Sequence, residues 1–287
     1  MADTVQSQRG KVWLITGAST GFGRLLAEYL CGLDATVIAT ARNVDKLSDL
    51  TVTYPGNVIV LQLDVTKPDS IKGAVKDALA HAGHVDVLVN NAGYGVTGAI
   101  EEVSEDEYMP MFETNVFGLI RLTQALLPQF RELRSGNIVN LSSIGGLIGM
   151  PGWGFYNATK FAVEGFSEAL AAELEPLGVH VTVVEPGAFR TDFLGRSGVL
   201  AKSAISDYQE TAGKAREYFQ TQSGKQAGDP QRAVEAIVAA VSAPEPPKHL
   251  LLGKIALKRF RARLEAWTKD LNEWEETTVG ADFPEGE

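Results

Sequence analysis

Short apolar runs alternate with longer stretches of helical periodicity along most of the chain. Runs this uniformly apolar are typical of parallel strands that are covered on both faces. Between them, apolar residues recur at the spacing of amphipathic helices. We therefore predict an α/β fold, a doubly wound parallel sheet of about seven strands in a single domain. The predicted strands are residues 11–16, 36–41, 58–63, 85–89, 136–141, 180–184 and 249–252.

Helix boundaries are marked by capping signals at two places. Ser104 and Glu107 form a capping box, which predicts a long helix reaching about Arg134. Asp229 and Pro230 are typical of a helix start, and the following apolar pattern predicts a helix to about Ala243.

Two later segments depart from the alternation. In residues 193–228 the periodicity gives way to Gly, Ser and Gln, and so long an irregular segment in a compact domain is a lid or a disordered loop. Residues 254 to about 276 predict an amphipathic helix, first basic and then acidic, whose apolar stripe is expected to pack on the domain or on a partner subunit. We predict a catalytic domain over 1–255, with a substrate lid at about 193–228, and a C-terminal helix and tail over 256–287.

A glycine-rich turn follows the first strand and precedes a helix. Backbone N–H groups and the positive end of a helix suit a pyrophosphate at such a turn, as in the Rossmann fold. Gly17 would make the tight turn, Gly21 would let a ligand approach, and Gly23 would let the helix pack on the strand. The candidate residues of this loop are Gly17, Ser19, Thr20, Gly21, Phe22 and Gly23.

The same loop also satisfies Gly-x-Ser-x-Gly, the nucleophile elbow of α/β hydrolases, with Ser19 as nucleophile. That reading needs an oxyanion hole from an earlier strand or loop, and no strand precedes this one. The hydrolase therefore remains the weaker alternative.

The end of the second strand bears on the choice of cofactor. In dinucleotide-binding folds, a carboxylate about 20 residues past the glycines hydrogen-bonds the ribose 2′-hydroxyl of NAD. An arginine there instead binds the 2′-phosphate of NADP. Arg42 and Asn43 occupy this place, and the first carboxylate after them is Asp45. The sequence favours NADP, with NAD as the alternative. If Arg42 has no role in cofactor binding, it is a solvated arginine in a turn.

Several other strand ends carry polar residues. Asp64 and Val65 follow the third strand, and Asn91, Ala92 and Gly93 follow the fourth, at the edge where parallel sheets bind ligands. Asn115 lies in an apolar stretch of the long helix, where the residues alone favour a structural role over one in a water chain.

Tyr156 and Lys160 are the strongest candidates for catalysis. On a helix, residues four apart share a face, so the phenol and the ammonium can address one point. A neighbouring cation lowers the pKa of a tyrosine, which would make Tyr156 a usable general acid or base. An isolated pair of this spacing is more often a half-buried tyrosine with a solvated lysine.

Composition and charge argue against several kinds of partner and site. The net charge of −10 repels nucleic acid and anionic membranes, and Cys31, the only cysteine, allows no intrachain disulfide. The four histidines do not have the spacing of metal ligands, so no metal is predicted. No apolar run approaches the ~20 residues of a membrane span, and residues 1–10 lack an apolar leader core, so we expect a cytoplasmic protein.

Taken in order, these motifs resemble the short-chain dehydrogenase/reductase family of single-domain type. The resemblance covers the chain to about residue 255, and residues 16–23 and 40–43 are similar to the branch containing retinol and 17β-hydroxysteroid dehydrogenases. The residues that carry it are Thr16-Gly17-x-x-x-Gly21-x-Gly23, Asp64-Val65, Asn90-Asn91-Ala92-Gly93, Asn115, Ser143, Tyr156-x-x-x-Lys160 and Pro186-Gly187 with Thr191.

The resemblance implies a role for each matching position. Tyr156 is the expected proton donor or acceptor, and Lys160 lowers its pKa and bonds the nicotinamide ribose. Ser143 hydrogen-bonds the substrate oxygen, and Asn115 holds a water of the proton relay, against the structural role that the residues alone favour. Cofactor contacts are implied for Asp64, Val65, Asn91, Ala92, Gly93, Pro186, Gly187 and Thr191.

Two positions depart from the family pattern. Many NADP-using members carry a basic residue where this chain has Thr20, which weakens the case for NADP. Thr159 replaces the family's serine before the lysine and keeps the hydroxyl.

The predicted function is an NADP(H)-dependent oxidoreductase that interconverts a ketone or aldehyde with its alcohol. An apolar set, Tyr94, Val96, Met150, Trp153, Phe189 and Phe193, predicts a hydrophobic small-molecule substrate. By analogy with the family, the helices at about 104–134 and 153–177 would pair in a homodimer or homotetramer. A non-catalytic NADP-sensing regulator on the same fold is the alternative.

Overall fold

The structure is a computed structural model that describes residues 8–195 and 197–283. Residues 1–7 and 284–287 of the predicted domains, and residue 196 of the predicted lid, lie outside the described residues. The strands are β1 Val12–Ile15, β2 Thr36–Ala41, β3 Val58–Gln62, β4 Val87–Asn90, β5 Gly95–Thr97, β6 Gly136–Leu141, β7 Val179–Pro186, β8 Gly198–Leu200 and β9 His249–Leu252.

Seven of these strands form one parallel sheet in the order β3-β2-β1-β4-β6-β7-β9. The predicted doubly wound sheet is confirmed. From β1 the chain builds outward through β2 and β3, then returns to place β4 on the other side of β1. Ligands bind such sheets at this reversal, beyond the carboxyl ends of the strands. The two remaining strands, β5 and β8, form a separate parallel pair.

The helices cover both faces of the sheet. They are α1 Gly21–Cys31, α2 Ser48–Thr53, α3 Pro68–Ala82, α4 Glu105–Phe112, α5 Gly118–Leu133, α6 Gly154–Leu174, α7 Lys214–Thr221, α8 Pro230–Val241, α9 Lys254–Glu273 and α10 Glu275–Val279. No helix among them combines the length and apolar character that a membrane span requires, as far as the described residues go.

The core consists of two apolar clusters, one on each face of the sheet. Trp13 and Ile15 of β1 pack in one cluster with residues of α1 and α8. Leu14, between them, packs in the other with residues of α3, α5 and α6. Because successive strand residues point to opposite faces, a strand buried on both sides must be apolar throughout.

Three predicted segments differ in detail. The long helix from Ser104 has its capping box, but a π-helical turn at Glu113–Phe117 separates α4 from α5. The segment 193–228 is more regular than predicted, since β8 and α7 lie within it. The stripe of α9 does not pack on its own domain, because every described residue from 261 to 283 is exposed.

Candidate active site

A cavity of about 1790 Å³ opens at the carboxyl ends of the central strands. One part is bordered by the glycine loop and the ends of β2, β3 and β4, and another by aromatic and aliphatic side chains. The predicted site residues that line it are Gly17, Ser19, Thr20, Gly21, Phe22, Arg42, Asp64, Val65, Asn91, Ala92, Gly93, Ser143, Tyr156, Lys160, Pro186, Gly187 and Thr191.

Three predicted residues do not line the cavity. Gly23 lies behind the loop, where a Cβ atom would come within 2.5 Å of the Asn91 amide nitrogen and 2.6 Å of the Gly17 carbonyl oxygen. Asn43 caps the turn after β2 by accepting a hydrogen bond from the Asp45 N–H at 2.9 Å. Asn115 is buried. Gly23 and Asn115 therefore support residues that do face the cavity.

The glycine loop holds its shape through backbone conformations that favour glycine. Gly17 and Gly21 have φ values of 66° and 58°. The N-terminus of α1 follows at Gly21, and the Thr20 side chain makes no capping hydrogen bond to it. Unpaired N–H groups at the positive end of a helix favour a bound anion such as a pyrophosphate.

A hydrogen-bond network joins this loop to the end of β4. The Thr16 hydroxyl accepts from the backbone N–H groups of Asn91 and Ala92, both at 2.9 Å. The Asn91 amide donates to the carbonyl oxygens of Thr16 and Gly17, at 2.8 and 3.2 Å. Asn91 thus fixes the loop from below, while its neighbours Ala92 and Gly93 face the cavity.

Arg42 and Asp64 occupy the outer end of the cavity. The Arg42 side chain is exposed, and no described carboxylate lies within ion-pair distance of its guanidinium. Burial alone would raise the pKa of Asp64, but hydrogen bonds from Thr66 and the positive charges of Lys67 and Arg42 hold it below its usual value. This end therefore presents one unpaired cation beside one ionised carboxylate.

Tyr156 and Ser143 meet at the inner end of the cavity. The Tyr156 side chain is buried, and the Ser143 side chain lies close enough to influence its pKa. The Ser143 hydroxyl accepts from the Gly145 N–H at 3.0 Å, which fixes its position. Burial raises the pKa of Tyr156 to about 12, although Ser143 opposes the shift.

Lys160 lies next to Tyr156 at the inner end of the cavity. Its Nζ atom is 5.8 Å from the centroid of the Tyr156 ring and donates to the Leu141 carbonyl oxygen at 2.6 Å. Burial lowers the pKa of Lys160 to about 8, and the nearby Glu164 carboxylate partly offsets the shift. Burial of the phenol is the largest influence on the pKa of Tyr156, and the lowering of that pKa by Lys160 stays a prediction.

Asn115 lies in the π-helical turn, where its amide is engaged with neighbouring residues. Its oxygen accepts from the Tyr94 N–H at 3.0 Å, and its nitrogen donates to the Tyr94 carbonyl oxygen at 2.8 Å and to the Thr159 hydroxyl at 3.1 Å. These bonds tie the end of β4 to α6 and account for the structural role that the residues alone favoured.

Aromatic rings surround the Tyr156 phenol on the substrate side. Trp153 lies edge-on to Tyr156 with ring centroids 5.7 Å apart, and Phe193 lies 5.6 Å away. Of the predicted apolar set, Tyr94, Met150, Trp153, Phe189 and Phe193 line the cavity; Val96 is instead buried beneath it.

The sequence reasoning missed wall residues that come from outside the strand ends. Met109 belongs to α4, Tyr218 to α7, and Ile255 and Arg259 to the start of α9. Each belongs to an amphipathic helix, and nothing in the pattern of one helix shows that another part of the chain leaves space beside it. No histidine is among the described residues lining the cavity, so Ser19 has no partner there for hydrolase chemistry.

Comparison with known proteins places this geometry in context. The family model described as short chain dehydrogenase matches residues 11–198. The chain is 35% identical over 272 residues to the oxidoreductase BOA17 of Botryotinia fuckeliana, covering 94% of this chain and 99% of the relative. It is 36% identical over 261 residues to a 3-ketodihydrosphingosine reductase of Bacteroides thetaiotaomicron, covering 91% and 94%.

Solved structures agree over nearly the whole chain. A short-chain dehydrogenase from Streptomyces avermitilis superposes with a TM-score of 0.90 at 44% identity, covering 96% of this chain and 100% of that one. A serine dehydrogenase complexed with NADP+ superposes with a TM-score of 0.73 at 29% identity, covering 84% and 94%.

Proposed function

Because the chain belongs to the short-chain dehydrogenase family, an oxidoreductase family acting on alcohol and carbonyl groups with a nicotinamide cofactor, we propose that it interconverts a hydrophobic ketone or aldehyde with its alcohol using NADP(H). One observation carries the proposal. Tyr156 and Ser143 both line the cavity where its glycine-loop part meets its aromatic part, and Ser143 lies close enough to Tyr156 to influence its pKa.

Reduction of a carbonyl requires a hydride and a proton. The nicotinamide would supply the hydride, and the protein would orient the reactants and stabilise the charge that develops. Tyr156 and Ser143 would both donate hydrogen bonds to the substrate oxygen and stabilise the charge that develops there. Tyr156 would then transfer its proton to that oxygen. In oxidation of an alcohol, the same residues act in reverse.

Tyr156 is the proton donor in the direction of reduction. A phenol with a pKa of about 12 is protonated at neutral pH, so the proton is present, but burial makes the phenol a weaker acid than a free tyrosine. The Lys160 ammonium, 5.8 Å from the ring, would stabilise the tyrosinate left after donation. Lys160 would also bond the nicotinamide ribose, and the Asn115 region would carry the water through which the proton is replaced.

The cofactor would lie across the end of the sheet. The N-H groups of the glycine loop suit its pyrophosphate, and the unpaired Arg42 suits a 2′-phosphate, which favours NADP over NAD. Asp64 and Val65 would contact the adenine, while Pro186, Gly187 and Thr191 would border the nicotinamide. The serine dehydrogenase complexed with NADP+ is in keeping with this choice.

The substrate would occupy the aromatic part of the cavity. Its walls include Trp153, Phe193 and Tyr218, which would exclude water from an apolar substrate of fair size. Phe193 and Tyr218 belong to the predicted lid, so residues 193–228 would close over the bound substrate. The proposal includes a homodimer or homotetramer, the common state of this family.

The test is Tyr156→Phe, assayed with NADPH and a panel of hydrophobic ketones. The change removes only the hydroxyl, so we expect NADPH binding within about threefold of wild type and kcat lower by roughly 10³-fold or more. Retained turnover would remove Tyr156 from the mechanism. Cofactor binding without turnover of any ketone by the wild-type protein would favour the regulatory alternative.

A further inference from the structure

The C-terminal helix α9 leaves the body of the protein with an apolar stripe in solvent. Only Ala256 of its residues is buried, and Trp267 and Trp274 are 54% and 63% exposed. The stripe residues recur at alternating intervals of three and four, which places them along one side of the helix. They are Leu257, Phe260, Leu264, Trp267 and Leu271 in α9, followed by Trp274 at its end.

A stripe of this kind needs a partner. An isolated helix is marginal in water below about 12–15 residues, and the exposed part of α9, from 261 to 273, is no longer than that. A contiguous exposed apolar surface marks an interaction site. Phe260 is half-buried, but in the part of the chain that the structure describes nothing covers the stripe from Leu264 onward.

The charges of α9 are divided between its two halves. The first half is basic without an acidic residue, and the second half is predominantly acidic. The only ion pair that the described residues of α9 form is Lys269 with Glu273, at 3.4 Å. The basic residues are Lys254, Lys258, Arg259, Arg261 and Arg263; the acidic residues in and after the second half are Glu265, Asp270, Glu273, Glu275 and Glu276.

We propose that α9 pairs with α9 of a second copy of this chain in antiparallel orientation. An antiparallel pair places the basic half of each helix against the acidic half of the other. A symmetric contact of this kind uses the same surface on both copies and closes as a dimer. The apolar residues of the stripe have the alternating spacing of three and four at which the side chains of paired helices interlock.

Two residues beside the stripe determine the orientation. Arg263 and Asp270 are seven residues apart, so both flank the same side of the stripe. In an antiparallel pair centred between Leu264 and Trp267, Arg263 of each copy faces Asp270 of the other. A parallel pair would place Asp270 beside Glu275 of the other copy, where like charges repel.

The split charge also argues against an anionic membrane as the occupant. The basic half would be attracted to such a surface, but the acidic half carries the same stripe and would be repelled. The whole chain, with a net charge of −10, is repelled as well. A second copy complements both halves at once.

The pairing has a consequence for the cavity. Ile255, Arg259 and Ala262, near the start of α9, line the cavity. An antiparallel partner would bring the end of its own α9 next to this start. Each copy would therefore contribute a wall beside the entrance to the other copy's cavity.

Charge reversal tests the proposal on the full-length protein, with the mass measured by light scattering after gel filtration. We expect Arg263→Asp to place two carboxylates in contact at both ends of the pair and to halve the mass. Asp270→Arg should do the same. The double variant R263D/D270R restores both ion pairs, so its mass should return to that of wild type.

Trp267→Ser removes the centre of the stripe and should also halve the mass. Val52→Ser is the matched control, because Val52 is an 81% exposed apolar residue on α2, away from α9, and its change should leave the mass unaltered. All these residues are exposed, so the body of each chain should stay folded, and the circular dichroism spectrum should change by no more than the helix signal of α9. Wild-type mass for both charge variants would overturn the antiparallel pair, as would failure of the double variant to recover.

A vesicle assay tests whether the stripe binds an anionic membrane instead of a second copy. Wild-type protein should not sediment with vesicles containing phosphatidylserine, because the acidic half opposes binding. Sedimentation that Arg263→Asp abolishes, together with an unchanged mass in solution, would overturn the proposal in favour of a membrane surface. A wild-type mass equal to one chain throughout a dilution series would overturn it directly.

Discussion

Ser142 and Ser143 are adjacent serines with different surroundings. The Ser143 side chain lies beside Tyr156, whereas the buried Ser142 hydroxyl lies near the Glu164 carboxylate on the side of Gly146. We expect Ser143→Ala to lower kcat by about 10²- to 10³-fold, the usual loss when one donor to a developing oxyanion is removed. Ser142→Ala serves as the matched variant, with a loss of less than about tenfold. Steady-state kinetics of both variants tests this. A larger loss of kcat in Ser142→Ala than in Ser143→Ala would contradict the role of Ser143.

Arg42 provides the residue-scale test of cofactor choice. Its guanidinium has no described carboxylate in ion-pair distance, so a 2′-phosphate would be its only strong partner. For Arg42→Asp we expect the ratio of kcat/KM with NADPH to kcat/KM with NADH to fall by roughly 10²-fold, because a carboxylate repels the phosphate and accepts from a ribose hydroxyl. Arg131→Asp, at a similarly exposed arginine of α5 that does not line the cavity, should leave the ratio unchanged. An unaltered ratio in Arg42→Asp would show that the phosphate is recognised elsewhere.

Sequence identified the residues at the strand ends because their spacing determines which edge of the sheet they occupy. It could not give the pKa of Tyr156, which depends on burial beside Trp153, the N-cap residue of the same helix, and beside Phe193 from a distant segment. A pair four apart on a helix shares a face, but the ammonium of Lys160 is drawn to the Leu141 carbonyl, a contact with another element.

At the scale of elements, β2 and β9 have the predicted bounds because their apolar runs end in clear turn residues. The prediction of an irregular segment was wrong where β8 forms. This strand pairs with β5, which is equally short. Pairing between two three-residue strands leaves almost no local pattern. The exposed stripe of α9 was also unpredictable, because periodicity shows that a face is apolar and does not show what it contacts.

The segment over the cavity is held to the body through Glu102. This buried carboxylate accepts from the N–H groups of Ala99 at 2.8 Å and Ile205 at 2.7 Å, and pairs with the Arg216 guanidinium at 3.1 Å. Burial alone would raise the pKa of Glu102, but these backbone bonds and Arg216 hold it below its usual value. Glu102 therefore fastens β5 to the segment that contains β8 and α7.

We expect Glu102→Gln to loosen that segment, because it leaves the Arg216 cation largely buried without a counter-charge. The KM for a large apolar ketone should rise by about threefold to tenfold, and proteolysis between residues 201 and 225 should accelerate. Glu101→Gln is the matched control: its carboxylate also contacts this segment, through the Tyr208 hydroxyl at 2.7 Å, but in solvent. Equal effects of the two variants would contradict the role of Glu102.

For the whole molecule, one cluster governs how stability depends on pH. Glu164 and Glu185 are buried beside His249, which bonds the Glu185 carboxylate at 2.7 Å. Burial raises the pKa of Glu185 to about 7, although the hydrogen bond from His249 opposes the shift. The pKa of Glu164 is raised as well, chiefly by burial. The fold thus joins the ends of β7 and β9 to α6 through buried carboxyl groups, of which Glu185 stays protonated to about neutral pH.

The sign of the pH dependence follows from these values. An unfolded glutamate loses its proton near pH 4.3, whereas Glu185 in the folded protein keeps it to about pH 7. Stability should therefore fall as the pH rises through this window, by on the order of 3 kcal/mol for Glu185, and stay level above it. We expect Glu185→Gln, which cannot ionise, to raise the melting midpoint at pH 8 by several degrees and to change it little at pH 5. Glu173→Gln, at an exposed glutamate of α6 that forms none of the described ion pairs, should shift the midpoint equally at both pH values. A Glu185→Gln protein that melts lower than wild type at pH 8 would mean that the ionised carboxylate stabilises the fold, through its bond to His249, more than its burial costs.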